Sequence, residues 1–318
     1  MANEGHITTG QDVAEATRAE NAALKASLAG RPRPHEIGDP VAVRAAGAAG
    51  KGAFPAPVLL PQGTNQAVPG RGGDVPVRTF ETEDARGVLM FLHGGGWTLG
   101  TAEGQDIYLW DLAQAAHVCV VSVGYRLAPE HPHPAAAEDC EDVARWLLDH
   151  AADRFGTDRL LIAGESAGAH LAVLTLLRLG ADAPAFRAAQ LSYGVFDLSM
   201  TPSQRDGAGK LFTSTPAMRW FYDQYLPGLT PEERRDPAIS PLYADVRGMP
   251  PARFTVGTED PLLDDSLFMA ARWRAAGNDT ELEVVAEGIH GFASFPLTIA
   301  RREIDRQSGY LARAVADR

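Results

Sequence analysis

Gly164-Glu165-Ser166-Ala167-Gly168 is the stretch of this chain that indicates its fold. The apolar run Leu160-Leu161-Ile162-Ala163 precedes it, and residues 169–177 after it have an apolar helical pattern. In a G-x-S-x-G pattern between a strand and a helix, the serine sits on a tight, strained turn with small residues on both sides. Such a turn exposes the hydroxyl of Ser166, which can act as a nucleophile if a base lies nearby. The pattern alone is common by chance, so the prediction depends on finding an oxyanion hole, a base and an acid.

A glycine-rich stretch lies upstream, after a predicted buried strand at residues 88–92. It reads His93-Gly94-Gly95-Gly96-Trp97. The N–H groups of consecutive glycines can approach a substrate closely, and fixed N–H donors stabilise the oxyanion of a tetrahedral intermediate. A flexible turn is the alternative, because runs of glycine are common in loops. The flanking histidine and tryptophan, and the position upstream of the serine motif, favour an oxyanion hole.

The predicted general base is His290, one of the 9 histidines of the chain. It lies in a short loop between a predicted strand at residues 281–285 and the last helical segment. A loop at this place can carry the imidazole ring to the edge of the sheet where the strands end. The other histidines lie in irregular segments, in helices or in the glycine motif, and they lack this combination of strand, loop and upstream acid.

Asp260 is the predicted acid that holds this base. It follows a strand predicted at residues 252–257, and Pro261 disfavours a helical conformation at Asp260 and stiffens the turn. A carboxylate here would accept the imidazole N–H, select the tautomer and stabilise the imidazolium. A helix N-cap is the alternative role for such an aspartate, and Glu259 and Asp264 are rival acids. Asp260 is preferred because it combines closeness to the strand end with a backbone held by proline.

These motifs follow one another in the order serine, aspartate, histidine, which is the order found in α/β-hydrolases. The chain resembles the hormone-sensitive-lipase-like family of α/β-hydrolases, the bacterial family IV esterases, over roughly residues 75–315. The segments that carry this resemblance are His93-Gly94-Gly95-Gly96-Trp97, Tyr125-Arg126-Leu127-Ala128-Pro129-Glu130, Gly164-Glu165-Ser166-Ala167-Gly168, Asp260-Pro261-Leu262 and His290-Gly291-Phe292.

The resemblance implies a role for each matching residue. Ser166 would be the nucleophile, His290 the base and Asp260 its partner. The oxyanion hole would consist of backbone N–H groups, with one glycine shaping the turn: Gly95, Gly96 and Ala167 as donors, and Gly94 at the turn. The resemblance also implies short acyl chains over long-chain triglycerides, and neither a metal nor a cofactor.

One position departs from the family. Glu165 stands where these proteins more often have aspartate. Because glutamate keeps the charge, we expect altered hydrogen bonding of the loop and not lost activity.

From about residue 75, apolar strand-like runs alternate with helical patterns, as a mostly parallel sheet requires. The clearest helix is predicted at residues 136–149, and Gly277 suits the end of a helix that begins near Asp264. We therefore predict an α/β-hydrolase fold, with a mostly parallel central sheet flanked by helices. The predicted strands are 75–81, 88–92, 118–123, 159–163, 187–193, 252–257 and 281–285.

Two segments outside this alternation are expected to form a helical cap. Residues 1–55 include an amphipathic pattern at 11–28, and residues 196–240 are rich in aromatic side chains. The core would then comprise residues 56–195 and 241–318 within one structural domain. A loosely held tail and ordinary core aromatics are the respective alternatives. Trp97, Tyr193 and Phe196 are predicted to line the substrate pocket.

Composition agrees with a globular enzyme. Of 318 residues, 45% are hydrophobic and 22% are charged, and the formal net charge is −12. This charge disfavours binding to nucleic acid or to anionic membranes. Cys119 and Cys140 are expected to be buried free thiols without metal-ligand partners. With no signal-peptide pattern and no long apolar run, the prediction is a cytoplasmic protein, and a homo-oligomer is left open.

The function predicted from these observations is that of a serine carboxylesterase acting on a small-molecule ester. An amidase, a lactonase or an acyltransferase would use the same three side chains, so the sequence leaves these reactions open. A non-catalytic ligand receptor on this fold is an alternative of another class, which the presence of Ser166, Asp260 and His290 disfavours.

Overall fold

An eight-stranded sheet organises this computed structural model, which describes residues 10–316. Its spatial order is β1-β2-β4-β3-β5-β6-β7-β8. The pairs β1–β2 and β2–β4 are antiparallel, and all other neighbouring pairs are parallel. The strands are β1 (Gly63–Val68), β2 (Val75–Phe80), β3 (Gly87–Leu92), β4 (Val118–Val123), β5 (Leu160–Glu165), β6 (Phe186–Ser192), β7 (Ala252–Gly257) and β8 (Thr280–Val285).

Helices cover both faces of this sheet, because the side chains of its central strands alternate between two apolar clusters. In β3, Met90 belongs to the cluster that includes residues of α5 and α6, whereas Phe91 belongs to the cluster that includes residues of α4 and α10. The helices are α1 (Gln11–Ser27), α2 (Pro34–Ile37), α3 (Pro40–Ala48), α4 (Asp106–Ala116), α5 (Ala135–Phe155), α6 (Ala167–Leu179), α7 (Pro202–Arg205), α8 (Thr215–Tyr225), α9 (Leu263–Ala275) and α10 (Thr298–Val315).

The predicted α/β architecture is confirmed, and each predicted strand is present to within a residue or two. Helix α5 is longer than predicted and ends at Phe155, where the following Gly156 caps it with a left-handed φ of 73°. Strand β1 and the short helices α2 and α3 were not predicted. Residues 63–68 are polar and mostly exposed at the sheet edge, so they lack the apolar alternation that marks a half-buried strand.

The N-terminal helices contact both α8 and α10. Glu20 of α1 accepts hydrogen bonds from the backbone N–H and the hydroxyl of Thr298, at the start of α10. The indole of Trp220 in α8 donates to the carbonyl of Gly38 after α2, at 3.1 Å. These contacts place α1 beside α10 and the end of α2 beside α8, and residues 1–9 of the predicted cap lie outside the described residues. The division into cap and core stays a prediction.

A buried ion pair attaches α10 to the sheet. The Arg253 guanidinium on β7 donates to both carboxylate oxygens of Glu303, at 2.6 and 2.9 Å. The hydroxyl of Thr255 donates to the same carboxylate at 2.8 Å. The arginine and the glutamate are 3% and 1% exposed, so each charge depends on the other for its stability.

Cys119 on β4 and Cys140 on α5 are both buried and free. Burial raises the pKa of both thiols, which makes them poor nucleophiles. None of the helices within residues 10–316 has the length and apolar character needed to cross a membrane.

Candidate active site

Ser166 occupies a sharp turn between β5 and α6. Its φ of 54° and ψ of −118° lie in a region that L-residues rarely adopt, so the backbone is strained at this position. A Cβ on Gly168 would lie 1.9 Å from the carbonyl oxygen of Leu92, so no larger residue fits there without a shift. The close approach of α6 to the end of β3 therefore explains the second glycine of the motif.

The structure brings Ser166, His290 and Asp260 together. His290 Nε2 lies 3.0 Å from Ser166 Oγ, and its Nδ1 lies 2.9 Å from Asp260 Oδ2. The other oxygen of Asp260 accepts the backbone N–H of Leu262 at 2.8 Å, which orients the carboxylate. Asp260 is 2% exposed and His290 is 9% exposed, so water screens this pair little.

Neither rival acid faces the imidazole. The carboxylate of Glu259 forms an ion pair with Lys210 at 2.7 Å and is 44% exposed. The carboxylate of Asp264 accepts the backbone N–H of Ser203 at 2.8 Å. Of the acids considered from the sequence, Asp260 is the one that contacts His290.

The glycine-rich loop after β3 lies against the Ser166 turn. A Cβ on Gly94 would be 3.2 Å from the carbonyl oxygen of Glu165 and 3.5 Å from the Cβ of Ser166. Gly95 and Gly96 have φ values of 114° and 59°, which suit glycine. Within residues 10–316, no acceptor takes the N–H groups of Gly95, Gly96 or Ala167. Three backbone donors next to the serine are thus available to a ligand.

Buried rings hold this loop in place. The Trp97 indole N–H donates to Nδ1 of His170 at 3.0 Å, and its ring stacks on Tyr225 of α8 at 4.5 Å. Since Nδ1 accepts, Nε2 of His170 carries the proton and donates to the carbonyl of Ile239 at 2.7 Å. Burial lowers the pKa of His170 to about 3, so the ring stays neutral. The sequence placed His170 only on a helix, and its link to Trp97 was missed because the two residues are distant in the chain.

His93, at the start of the same loop, is fixed in a similar way. Its ring stacks on Tyr125 at 4.2 Å, and the tyrosine hydroxyl donates to the His93 carbonyl at 2.8 Å. Burial lowers the pKa of His93 to about 4. Tyr125 begins the segment that carries part of the family resemblance, and this contact gives it a structural role.

The N-terminal helices contact the loops that carry the site. Arg44 of α3 donates to the carbonyl of Thr98 at 3.1 Å, just after the glycine-rich loop. Asn21 of α1 donates to the carbonyl of Glu287 at 2.7 Å, and Arg18 pairs with its carboxylate at 2.6 Å. Glu287 lies shortly before His290 and has a left-handed φ of 60°. These contacts were not predicted, because sequence patterns do not report long-range side-chain partners.

A cavity of about 1910 Å³ opens onto Ser166 and His290. Apolar side chains from α3 and α8 line it, including Val43, Met218 and Phe221. The Phe221 ring lies over Gly96, where a Cβ would be 2.3 Å from it. Part of the aromatic cluster at residues 196–240 therefore lines this cavity.

Two of the three predicted pocket residues line the cavity, and the third does not. Trp97 and Tyr193 are among the lining residues. The prediction for Phe196 is wrong, because its ring packs in the core against Phe254 of β7, at 6.0 Å between centroids. Its backbone N–H donates to the buried carboxylate of Asp265 at 2.7 Å, which holds this segment inward.

Glu165 precedes the serine and lines the same cavity. Its carboxylate accepts a hydrogen bond from the side-chain amide of Gln105 at 2.9 Å. The residue is 6% exposed, and burial raises the pKa of its carboxyl because the charged form loses hydration.

Comparison with known proteins shows the family of this chain. A family profile described as "alpha/beta hydrolase fold" matches residues 89–294. The protein belongs to the hormone-sensitive-lipase-like family of α/β-hydrolases. The ethyl acetate hydrolase of Pseudomonas putida is 36% identical over 233 residues, which are 70% of this chain and 72% of that protein. The carboxylic ester hydrolase LipN of Mycobacterium tuberculosis is 34% identical over 252 residues, 76% of this chain and 66% of LipN.

A solved structure extends the likeness to nearly the whole chain. The hyperthermophilic esterase of the archaeon Pyrobaculum calidifontis superposes with a TM-score of 0.82 at 29% identity, covering 94% of this chain and 98% of that one. With this family and these relatives, the protein is a carboxylic ester hydrolase.

Proposed function

We propose that the protein is a serine carboxylesterase that hydrolyses short-chain acyl esters through an acyl-enzyme on Ser166. The observation that supports this most directly is the continuous arrangement of Ser166, His290 and Asp260, with contacts of 3.0 and 2.9 Å. A hydroxyl within hydrogen-bonding distance of an imidazole, itself held by a buried carboxylate, is the arrangement that activates a serine.

In the first half of the reaction, Ser166 Oγ attacks the ester carbonyl carbon while His290 Nε2 takes the hydroxyl proton. Asp260 accepts the Nδ1–H, which selects the tautomer and stabilises the imidazolium that forms. The carbonyl oxygen becomes an oxyanion and accepts the free N–H groups of the loop and the turn. Loss of one such donor raises a barrier of this kind by about 2.7–4 kcal/mol.

The tetrahedral intermediate then collapses. The bond to the alcohol oxygen breaks, and the alcohol leaves with the proton from His290 Nε2. Water attacks the acyl carbonyl carbon of the acyl-enzyme as the same imidazole takes its proton. The bond between that carbon and Ser166 Oγ then breaks, His290 returns the proton to Oγ, and the carboxylic acid leaves. Apart from the ester and the attacking water, each step uses groups of this chain.

The apolar lining of the cavity supports an acyl ester as substrate, and a relative supports a short acyl chain. Apolar side chains such as Val43 and Met218 suit an aliphatic chain, and the N–H groups beside the serine suit its carbonyl oxygen. Among the relatives is an ethyl acetate hydrolase. A small-molecule ester is therefore the proposed binding partner.

Labelling with a fluorophosphonate, followed by mapping of the modified peptide, tests the nucleophile and its activation together. We expect one label, on Ser166, and none on the Ser166→Ala variant. The same two proteins are then assayed on matched p-nitrophenyl esters, anilides and lactones. Faster turnover of an amide or lactone than of the ester would replace esterase by that reaction, and ester hydrolysis by Ser166→Ala at the wild-type rate would refute the triad.

A further inference from the structure

One wall of the cavity is polar and directly adjoins the nucleophile. Glu165 lines the cavity beside Ser166, and one of its oxygens, Oε2, accepts the amide of Gln105. Within residues 10–316, no lysine or arginine forms an ion pair with this carboxylate, and the basic side chain near it is the imidazole of His290. A buried carboxylate that lacks a cationic partner is costly, so a donor arriving from the cavity would be stabilised there.

Tyr193 supplies the second part of this wall. It is 1% exposed, lines the cavity and sits with its ring edge-on to His290, at 5.3 Å between centroids. Its hydroxyl is buried and has no hydrogen-bond partner among the described residues. The hydroxyl lies near the Glu165 carboxyl, but their geometry falls short of a hydrogen bond. Buried tyrosine hydroxyls normally have partners, so this group indicates a site for a ligand atom.

The two groups together define the chemistry that would satisfy them. The Glu165 carboxylate can only accept a hydrogen bond, whereas the Tyr193 hydroxyl can donate one. A hydroxyl group both donates and accepts, so it can satisfy both at once. An alkyl group of the same size would satisfy neither. We propose that Glu165 and Tyr193 form a subsite for a hydroxyl group of the ester, so that hydroxylated esters are preferred over alkyl esters of the same shape.

This inference rests on the proposed esterase function. The hydroxyl can belong either to the alcohol part or to the acyl part of the ester, and the chemistry of the subsite is the same in both cases. Two pairs of substrates distinguish these sources. One pair is 2-hydroxyethyl butyrate and propyl butyrate, and the other is ethyl 3-hydroxybutyrate and ethyl 3-methylbutyrate.

The measurement is the ratio of kcat/KM within each pair. We expect the wild-type protein to favour the hydroxylated ester by about 10-fold or more in one pair, since a hydrogen bond to a charged group has about that value. Glu165→Gln and Tyr193→Phe should each bring that ratio towards one. Damage to the fold would slow both esters of a pair alike, so the ratio separates recognition from stability. Glu259→Gln is the matched control, because it removes a surface carboxylate that pairs with Lys210.

The outcomes separate the two proposals. A preference that both variants lose supports the subsite, and the pair that shows it identifies the part of the ester. Equal kcat/KM values within both pairs would mean that water, and not the substrate, binds to Glu165 and Tyr193. A preference that both variants keep would mean that other residues recognise the hydroxyl group. Either result overturns the inference. If none of the four esters is hydrolysed and the fluorophosphonate leaves Ser166 unlabelled, the proposed function itself fails.

Discussion

Acidification should destabilise this protein through a histidine buried behind the oxyanion loop. His170 is fully buried, accepts the Trp97 indole N–H at Nδ1 and donates from Nε2 to the Ile239 carbonyl. Burial is the main cause of its lowered pKa of about 3. Protonation would also place a second N–H against the indole N–H, where no acceptor remains. The folded protein therefore keeps this ring neutral where the unfolded chain would protonate it.

The sign and size of the effect follow from the two pKa values. A histidine in an unfolded chain titrates near 6.5, so the contribution of His170 to stability is complete above that pH and declines as the pH falls towards 3. At about pH 5, protonation of this one residue stabilises the unfolded state relative to the folded state by about 2 kcal/mol. His93, whose pKa is lowered to about 4, contributes a similar amount. The two histidines together should reduce the free energy of unfolding by about 4 kcal/mol between about pH 7.5 and pH 5.

Urea unfolding followed by circular dichroism at these two pH values measures the net change, to which the buried Asp265, whose pKa burial raises to about 7, contributes with the opposite sign. The difference between the wild type and His170→Asn isolates the part due to His170. The oxygen of asparagine can still accept the Trp97 N–H, but the residue does not titrate. The variant should be less stable at both pH values, since the Ile239 carbonyl loses its donor. Its loss between the two pH values should nevertheless be smaller than that of the wild type by about 2 kcal/mol. An equal pH-dependent loss in the two proteins would refute the reasoning.

Three further predictions concern the site and its support. Asp260→Asn should lower kcat by about 10⁴-fold with unchanged circular dichroism, because the wrong tautomer of the base is favoured; a loss under tenfold would contradict the assigned acid. Gly168→Ala should cost about 3 kcal/mol in urea unfolding, whereas Gly209→Ala, where a Cβ meets nothing within 4 Å, should change stability by less than about 0.5 kcal/mol. Arg253→Met should cost about 3–5 kcal/mol by leaving the buried Glu303 charge unpaired, and adding Glu303→Leu should recover most of it; no recovery would argue against a charge effect.

The residues of the candidate site could be found from the sequence because local features mark each of them. Ser166 stands between a strand pattern and a helix pattern, Asp260 precedes a proline, and His290 follows a strand. Apolar periodicity and turn residues act over a few positions, so one sequence is enough to read them. The same local rules failed for β1, because a polar edge strand has one mostly solvated face and buries little.

The position of the Phe196 side chain could not be predicted from local sequence patterns. Tyr193 and Phe196 both follow β6, and both are aromatic, so the sequence treated them alike. The left-handed φ of 38° at Tyr193, and the hydrogen bond from the Phe196 N–H to Asp265, direct one ring to the cavity and the other into the core. Neither the backbone angle nor the distant carboxylate is visible in the pattern of residues around them.

The sequence by itself determined the alternation of strands and helices from about residue 75, the three side chains of the candidate triad and the glycine-rich loop. Only the tertiary structure decided which groups meet, since Ser166 and His290 are 124 positions apart and touch because β5, β6, β7 and β8 lie side by side. It also decided the environment of each group, including the neutral His170 behind Trp97 and the Glu165 carboxylate facing the cavity. Burial and partner choice arise from elements that pack together across the sheet, and they depend on the whole chain at once, whereas strand and helix patterns depend on neighbours in sequence.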